Sequence, residues 1–167
     1  MSALRRYRMI PKFRGISIAD DSKGKMQYGY LIADGEQAFI INEVVEANEQ
    51  YITIGSWCPV DPKTIGQSTG RKDKNGKEIF EGDIIRTSAY GCIVGFGEYT
   101  YFEDDDTQTT EIGFYLSFLN VTPATYAPFD KYYWDNCEVI GNTYENELDL
   151  IMYAAYKYNK EMSEDKE

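Results

Sequence analysis

Short apolar runs, broken at close intervals by Gly, Asp, Asn or Pro, recur from residue 12 to residue 140. That rhythm marks strands joined by tight turns. Residues 12–19 form the first, with Phe13 toward the core and Lys12 and Arg14 toward solvent. Asp20-Asp21-Ser22-Lys23-Gly24 turns the chain into a Tyr-rich second strand over 26–33. Asp34-Gly35-Glu36 turns it again into a third over 37–45, completing a β-meander. Residues 51–55 alternate like a strand, and 57–62 are extended because Pro59 and Pro62 push the residues before them out of the helical region. Further short strands are expected over 84–87, 92–96, 99–102, 112–118 and 137–140. Gly91, Gly95, Gly97 and Gly113 mark bends or bulges. Residues 120–131 form a loop, and Tyr132-Tyr133-Trp134 lead into the last strand.

Only the C-terminal stretch has helical periodicity. Asn146 can cap a helix, Glu147 and Asp149 suit its first turn, and Leu148, Ile151, Met152 and Ala155 recur at spacings of three and four. The pattern divides the chain into an N-terminal arm (1–10), a β domain (11–145), an amphipathic helix (146–162) and a disordered tail (163–167). The helix packs on its own domain, or alternatively on another subunit.

The densest local code lies over residues 65–86, IGQSTGRKDKNGKEIFEGDIIR. Asn75-Gly76 between polar arms predicts a hairpin with a type I′ turn, since Asn and Gly best tolerate positive φ at both central positions. Glu81-Gly82-Asp83 then makes a tight bend into Ile84-Ile85-Arg86. Such an entry suits a strongly bent sheet. The expected fold is therefore mainly β: a small, bent, barrel-like antiparallel sheet (SH3-like or similar) with an extended hairpin and a C-terminal α-helix.

Charge and composition narrow the chemistry. The chain has no histidine, which removes the usual general base and every Ser-His or Cys-His pair. Cys58, Cys92 and Cys137 follow no metal or disulfide spacing and read as reduced, partly buried thiols. Asp73 and Asp83 could be imagined as a carboxylate pair, but turn and strand entries are places where Asp bonds nearby backbone N–H groups. No phosphate loop or nucleophile elbow is present. The expectation is a non-enzyme with no cofactor and no metal. The absence of a signal-like or membrane-length apolar run points to a cytoplasmic protein with no membrane partner.

The net charge of −11 is unevenly laid down: residues 1–15 carry five bases and no acid, residues 87–130 seven acids and no base. The basic arm is read as the edge of an ordinary first strand, with phosphate contact as the alternative, disfavoured because the overall field repels a polyanion. Glu103-Asp104-Asp105-Asp106 is read as a solvated loop; a calcium site and mimicry of a nucleic-acid surface are the alternatives. Arg71, Lys72, Lys74 and Lys77 form the densest basic patch inside the folded domain and are the candidate binding surface. Fifteen tyrosines suit either an aromatic β core or a contact surface.

One resemblance covers residues 11–150. Gln67, Thr69-Gly70 and the run from Lys72 to Ile85 resemble the central motif of the YopX-like proteins of phages and prophages. Lys12-Phe13-Arg14-Gly15, Tyr28-Gly29-Tyr30-Leu31-Ile32, Asp61-Pro62, Thr64-Ile65-Gly66, Val139-Ile140-Gly141-Asn142 and Tyr144-Glu145-Asn146 resemble its other pieces in the same order. Gly70, Asp73, Asn75, Gly76, Phe80, Gly82 and Asp83 thus form a structural signature. This chain departs from the pattern at Ser68, where relatives carry an aromatic residue, and at Arg71, where they carry Leu, which marks a rewired contact surface. The resemblance implies a fold and a host-cytoplasm setting but no activity. The expected function is non-catalytic, through contacts with itself as a homo-oligomer or with a phage or host protein. A nucleic-acid-binding small β-barrel, or an acidic nucleic-acid mimic acting on a host factor, is the alternative.

Overall fold

The computed structural model describes residues 9–119 and 121–145. The helix expected over 146–162, the tail and most of the basic arm lie outside the described residues. The chain is mainly β and antiparallel, and it divides into two compact units, one ending at Ile65 and the other beginning at Gly66.

The first unit extends the expected three-stranded meander by a fourth strand: β1 (Phe13–Ile16), β2 (Met26–Asp34), β3 (Gln37–Ala47) and β4 (Ile52–Val60), each paired to the next. Register puts Leu31, Ile40 and Cys58 in one row and Ala33, Ala38 and Val60 in the next, all on one face. Ala38, Ile40 and Val60 form the core there, with Phe13, Leu31 and Ile65 packed against them. Arg14 corrects the sequence reading: it is buried. Alternation assigns a residue to solvent only where one face of a strand is wet. In β1 the adjacent residues Arg14 and Gly15 are both buried, so both faces are covered.

The second unit holds the hairpin β5 (Gly66–Lys72) and β6 (Glu78–Phe80). It also contains a five-stranded sheet in the order β10-β9-β8-β7-β11. These strands are β7 (Asp83–Arg86), β8 (Gly91–Phe102), β9 (Gln108–Phe118), β10 (Tyr126–Pro128) and β11 (Glu138–Asn142). Ile79, Ile85, Cys92, Val94, Leu116, Cys137 and Val139 make its core. No closed barrel is detected among the described residues.

Several boundaries differ from the sequence reading: β4 joins the segments read separately as 51–55 and 57–62, and the loop expected over 120–131 contains the short strand β10, paired with β9. Residues 92–96 and 99–102 belong to one strand, β8, because Gly97 pairs with Gly113 and carries the ladder through without a break. Tyr132-Tyr133-Trp134 are helical, in α1 (Lys131–Asn136), although aromatics favour strands. The Asp130 side chain caps this helix by accepting from the Tyr132 N–H, and the cap outweighs the weak propensity.

Candidate functional site

The Asp73 turn is a three-residue loop, not the type I′ turn that Asn-Gly suggested. The Gly76 N–H donates to the Asp73 carbonyl at 3.0 Å and the Asp73 N–H to the Lys77 carbonyl at 2.8 Å. Lys74, Asn75 and Gly76 form the loop, and Gly76 takes the left-handed conformation at φ 81°. The buried Asp73 carboxylate selects this geometry. Its Oδ1 accepts from the N–H groups of Asn75 and Lys77, each at 2.9 Å, while Oδ2 accepts from the Val139 N–H at 2.9 Å. The Lys74 N–H also donates to the Cys137 carbonyl at 3.1 Å. One side chain therefore shapes the hairpin tip and ties it to β11.

The rest of the signature makes similar bonds. Asp83, buried, accepts from the Phe80 N–H at 2.8 Å across the Gly82 bend. The Gly82 N–H donates to the Val94 carbonyl and its own carbonyl accepts from the Thr143 N–H, so the bend joins two parts of the unit. Gly70 sits at φ 70° where the β5–β6 register shifts, and Phe80 is buried. Asp73 and Asp83 each carry backbone hydrogen bonds.

The four basic residues of the hairpin are exposed. Arg71 lies over the Trp134 ring, 4.6 Å from its centroid, in a cation–π contact. Ser68, the other departure, is buried and donates its hydroxyl to Glu78 at 3.0 Å. Lys74 and Arg86 both reach the same Glu138 oxygen, at 3.8 and 3.5 Å. They line a polar cleft of about 370 Å³ with Thr87, Ser88, Asp135 and Asn136. Neither Lys72 nor Lys77 has an ion-pair partner among the described residues.

Cys92 and Cys137 are buried free thiols. Burial, with a smaller contribution from Cys137, pushes the Cys92 thiol up to about 12; burial, then the charge of Asp73, pushes Cys137 up to about 11. Among the described residues no group of three or more carboxylates and cysteines could hold a metal, and no helix is long and apolar enough to cross a membrane. The acidic run closes a turn: Asp104 accepts from the N–H groups of Asp106 and Thr107, which hold its carboxyl below the usual range.

Sequence reasoning missed the outer face of β2-β3-β4. Register aligns Tyr30, Ile41 and Trp57 in one row and Ile32, Phe39 and Pro59 in the next. Tyr30, Ile32 and Trp57 are exposed, and Phe39 meets Trp57 edge to face at 5.6 Å. The sequence signal was the lack of polar alternation in Tyr28-Gly29-Tyr30-Leu31-Ile32, which makes a strand apolar on both faces.

Comparison with known proteins follows the same ground as the signature. A family model described as "YopX protein" matches residues 17–149. Among solved structures, the chain is similar to protein EF1440 from Enterococcus faecalis, with 27% identity and a TM-score of 0.50, covering 86% of this chain and 99% of that one. No curated protein matches.

Proposed function

This chain belongs to the YopX family, and from that premise we propose that it is a non-catalytic protein working through protein–protein contacts, first of all with a second copy of itself. The observation that carries the reading is the outer face of β2-β3-β4. An antiparallel sheet ordinarily presents one apolar face to a core and one polar face to water. Here the face opposite the Ala38–Ile40–Val60 core carries Tyr30, Ile32 and Trp57, exposed at 54%, 51% and 57%.

Counting half of the area that a large side chain buries, these three offer about 300 Å² of surface, the size of patch that is often functional. Covering it on two copies buries about 600 Å² in total, so a stable interface draws in further surface around the patch. Association costs on the order of 4–15 kcal/mol. Trp57 and Tyr30 are the anchors of the proposed contact. Arg71, Lys72, Lys74 and Lys77 supply a second contact, toward acidic surface on a phage or host protein. A phage or prophage origin and action in the host cytoplasm belong to the same proposal.

The test is light-scattering chromatography of the full chain across a concentration series. The wild type elutes as an oligomer at tens of micromolar, and Trp57→Ser with Tyr30→Ser elutes as a folded monomer. A wild type that stays monomeric, or a double variant that keeps the wild-type mass, overturns the reading. A salt-dependent shift of labelled DNA by the wild type would instead favour nucleic-acid binding.

A further inference from the structure

Beyond Ile41 the first unit narrows to a two-stranded ribbon. The β2 ladder ends at the Tyr30–Ile41 pair, so residues 43–47 of β3 and 52–56 of β4 pair only with each other among the described residues. Asn48 shapes the tip. The N–H groups of Gln50 and Tyr51 donate to its side-chain oxygen at 2.8 and 3.1 Å, and its own N–H donates to the Tyr51 carbonyl at 2.9 Å. The Tyr51 hydroxyl donates to Glu46 at 2.8 Å.

Two strands without a third are marginally stable in water unless something packs on them. This ribbon exposes Val44, Val45, Tyr51 and Ile52, each by at least 42%. Three register shifts between Ile41 and Glu46 mark bulges, which coil the ribbon and break the regular edge that another strand would need. Contact is therefore made through its side chains and not by adding a strand. Glu43, Glu46 and Glu49 are exposed and have no ion-pair partner among the described residues. Lys72 and Lys77 of the β5–β6 hairpin are exposed and equally lack one.

We infer that the ribbon of one copy docks on the basic hairpin of another, a contact that rests on the self-association proposed above. The acidic surface that this hairpin meets is then the chain's own. Area supports a second copy as the occupant. A stable interface takes about 800 Å² and roughly 20–30 residues from each partner, whereas Tyr30, Ile32 and Trp57 offer about 300 Å². The ribbon runs directly on from Trp57 in β4 and is the adjoining surface to draw in. Charge selects the hairpin as its landing site: unpaired ammonium groups meet unpaired carboxylates, while the lysine stems cover apolar side chains of the ribbon. Exposed ion pairs add little energy each, so charge chooses the partner and the apolar side chains supply the burial.

The experiment compares two charge-reversed variants of the full chain by sedimentation velocity in low salt: Glu43→Lys with Glu49→Lys, and Lys72→Glu with Lys77→Glu. Glu46 is kept because it holds the Tyr51 hydroxyl. All four positions are exposed, and far-UV circular dichroism checks that both variants fold. Each variant alone self-associates about ten-fold more weakly than the wild type, since like charges now face each other. Mixed in equal amounts they associate at wild-type strength, because each reversed surface finds its complement on the other chain. Wild-type self-association of either variant alone, or a mixture no tighter than its components, overturns the docking and leaves the outer-face contact standing. A Trp57→Ser, Tyr30→Ser chain that still associates, in a manner the charge reversals abolish, overturns the outer face and keeps this contact. A wild type monomeric at every concentration overturns both.

Discussion

Asp73→Ala removes a carboxylate that accepts three backbone N–H groups at 2.9 Å while almost wholly buried. The three bonds differ in what replaces them. Asn75 and Lys77 are exposed, so water can meet their N–H groups, and each loss costs about 0.5–1.5 kcal/mol. The Val139 N–H is buried and has no substitute partner, which costs about 1–3 kcal/mol. The sum is about 4 kcal/mol, a large share of the 5–15 kcal/mol typical of a domain. Asp73→Asn sharpens the estimate. An amide retains one acceptor oxygen, so it can keep the turn bonds or the Val139 bond but must aim its NH₂ at the other donor. The expected cost is about 2 kcal/mol.

The assay is urea unfolding followed by far-UV circular dichroism, with m-values compared, alongside hydrogen exchange of the Val139 amide. Both variants lower the midpoint at unchanged m, and Val139 exchanges faster in Asp73→Ala. A midpoint for Asp73→Asn equal to the wild type, with Val139 protection intact, would refute the anchoring role. If Asp73 instead served chemistry, the Asn variant would keep its stability and lose a function.

Gly76 sits at φ 81° with nothing within 4 Å of a built Cβ, so Gly76→Ala meets only backbone strain. A loss of about 1–2 kcal/mol is expected, with Gly76→Asn milder, and an unfolding midpoint unmoved by Ala would count against the left-handed assignment. Cys92 predicts alkaline sensitivity. Its thiol holds its proton to about 12 when folded, against 9.0 for the unfolded chain. Between those values the unfolded state has released a proton that the folded state keeps, so this stabilisation is complete below pH 9 and is lost as pH rises toward 12. The limit is about 4 kcal/mol. Urea midpoints at pH 8 and pH 10.5 should fall further in the wild type than in Cys92→Ala; an equal fall in both would locate the sensitivity elsewhere.

Period and turn residues were enough to read the meander, since Asp34-Gly35 and the flanking apolar runs are local signals. Tertiary partners decided what was misread. Asn75-Gly76 has the composition of a two-residue turn, yet Asp73 bonds Lys77 and Val139 and so selects a three-residue loop. Arg14 looked like a surface base because its strand was credited with one wet face. The basic hairpin was legible as a charge cluster, but only side-chain direction separates Arg71, lying over Trp134, from Lys74, drawn to Glu138. The cluster of Tyr99, Tyr101, Tyr115 and Tyr126 rings was least legible of all. It depends on the pairings Gly95–Tyr115 and Gly97–Gly113, which join residues sixteen or more positions apart. Read alone, those glycines signal only bends.

The residues that carry the family likeness are also the ones whose polar atoms are already engaged in holding the backbone. Asp73 and Asp83 accept main-chain N–H groups, Gly76 and Gly82 occupy positive-φ turns, and Phe80 lies in the interior. A side chain committed in this way has little left to offer a substrate or partner, so the signature transmits architecture. Side chains without such commitments lie elsewhere: Tyr30, Ile32 and Trp57 are exposed on the outer face of β2-β3-β4. None of these belongs to the central motif. Ser68 and Arg71 show how the framework absorbs change: each departs from the family pattern, and each is met by a partner within its own unit, Glu78 for the one and Trp134 for the other.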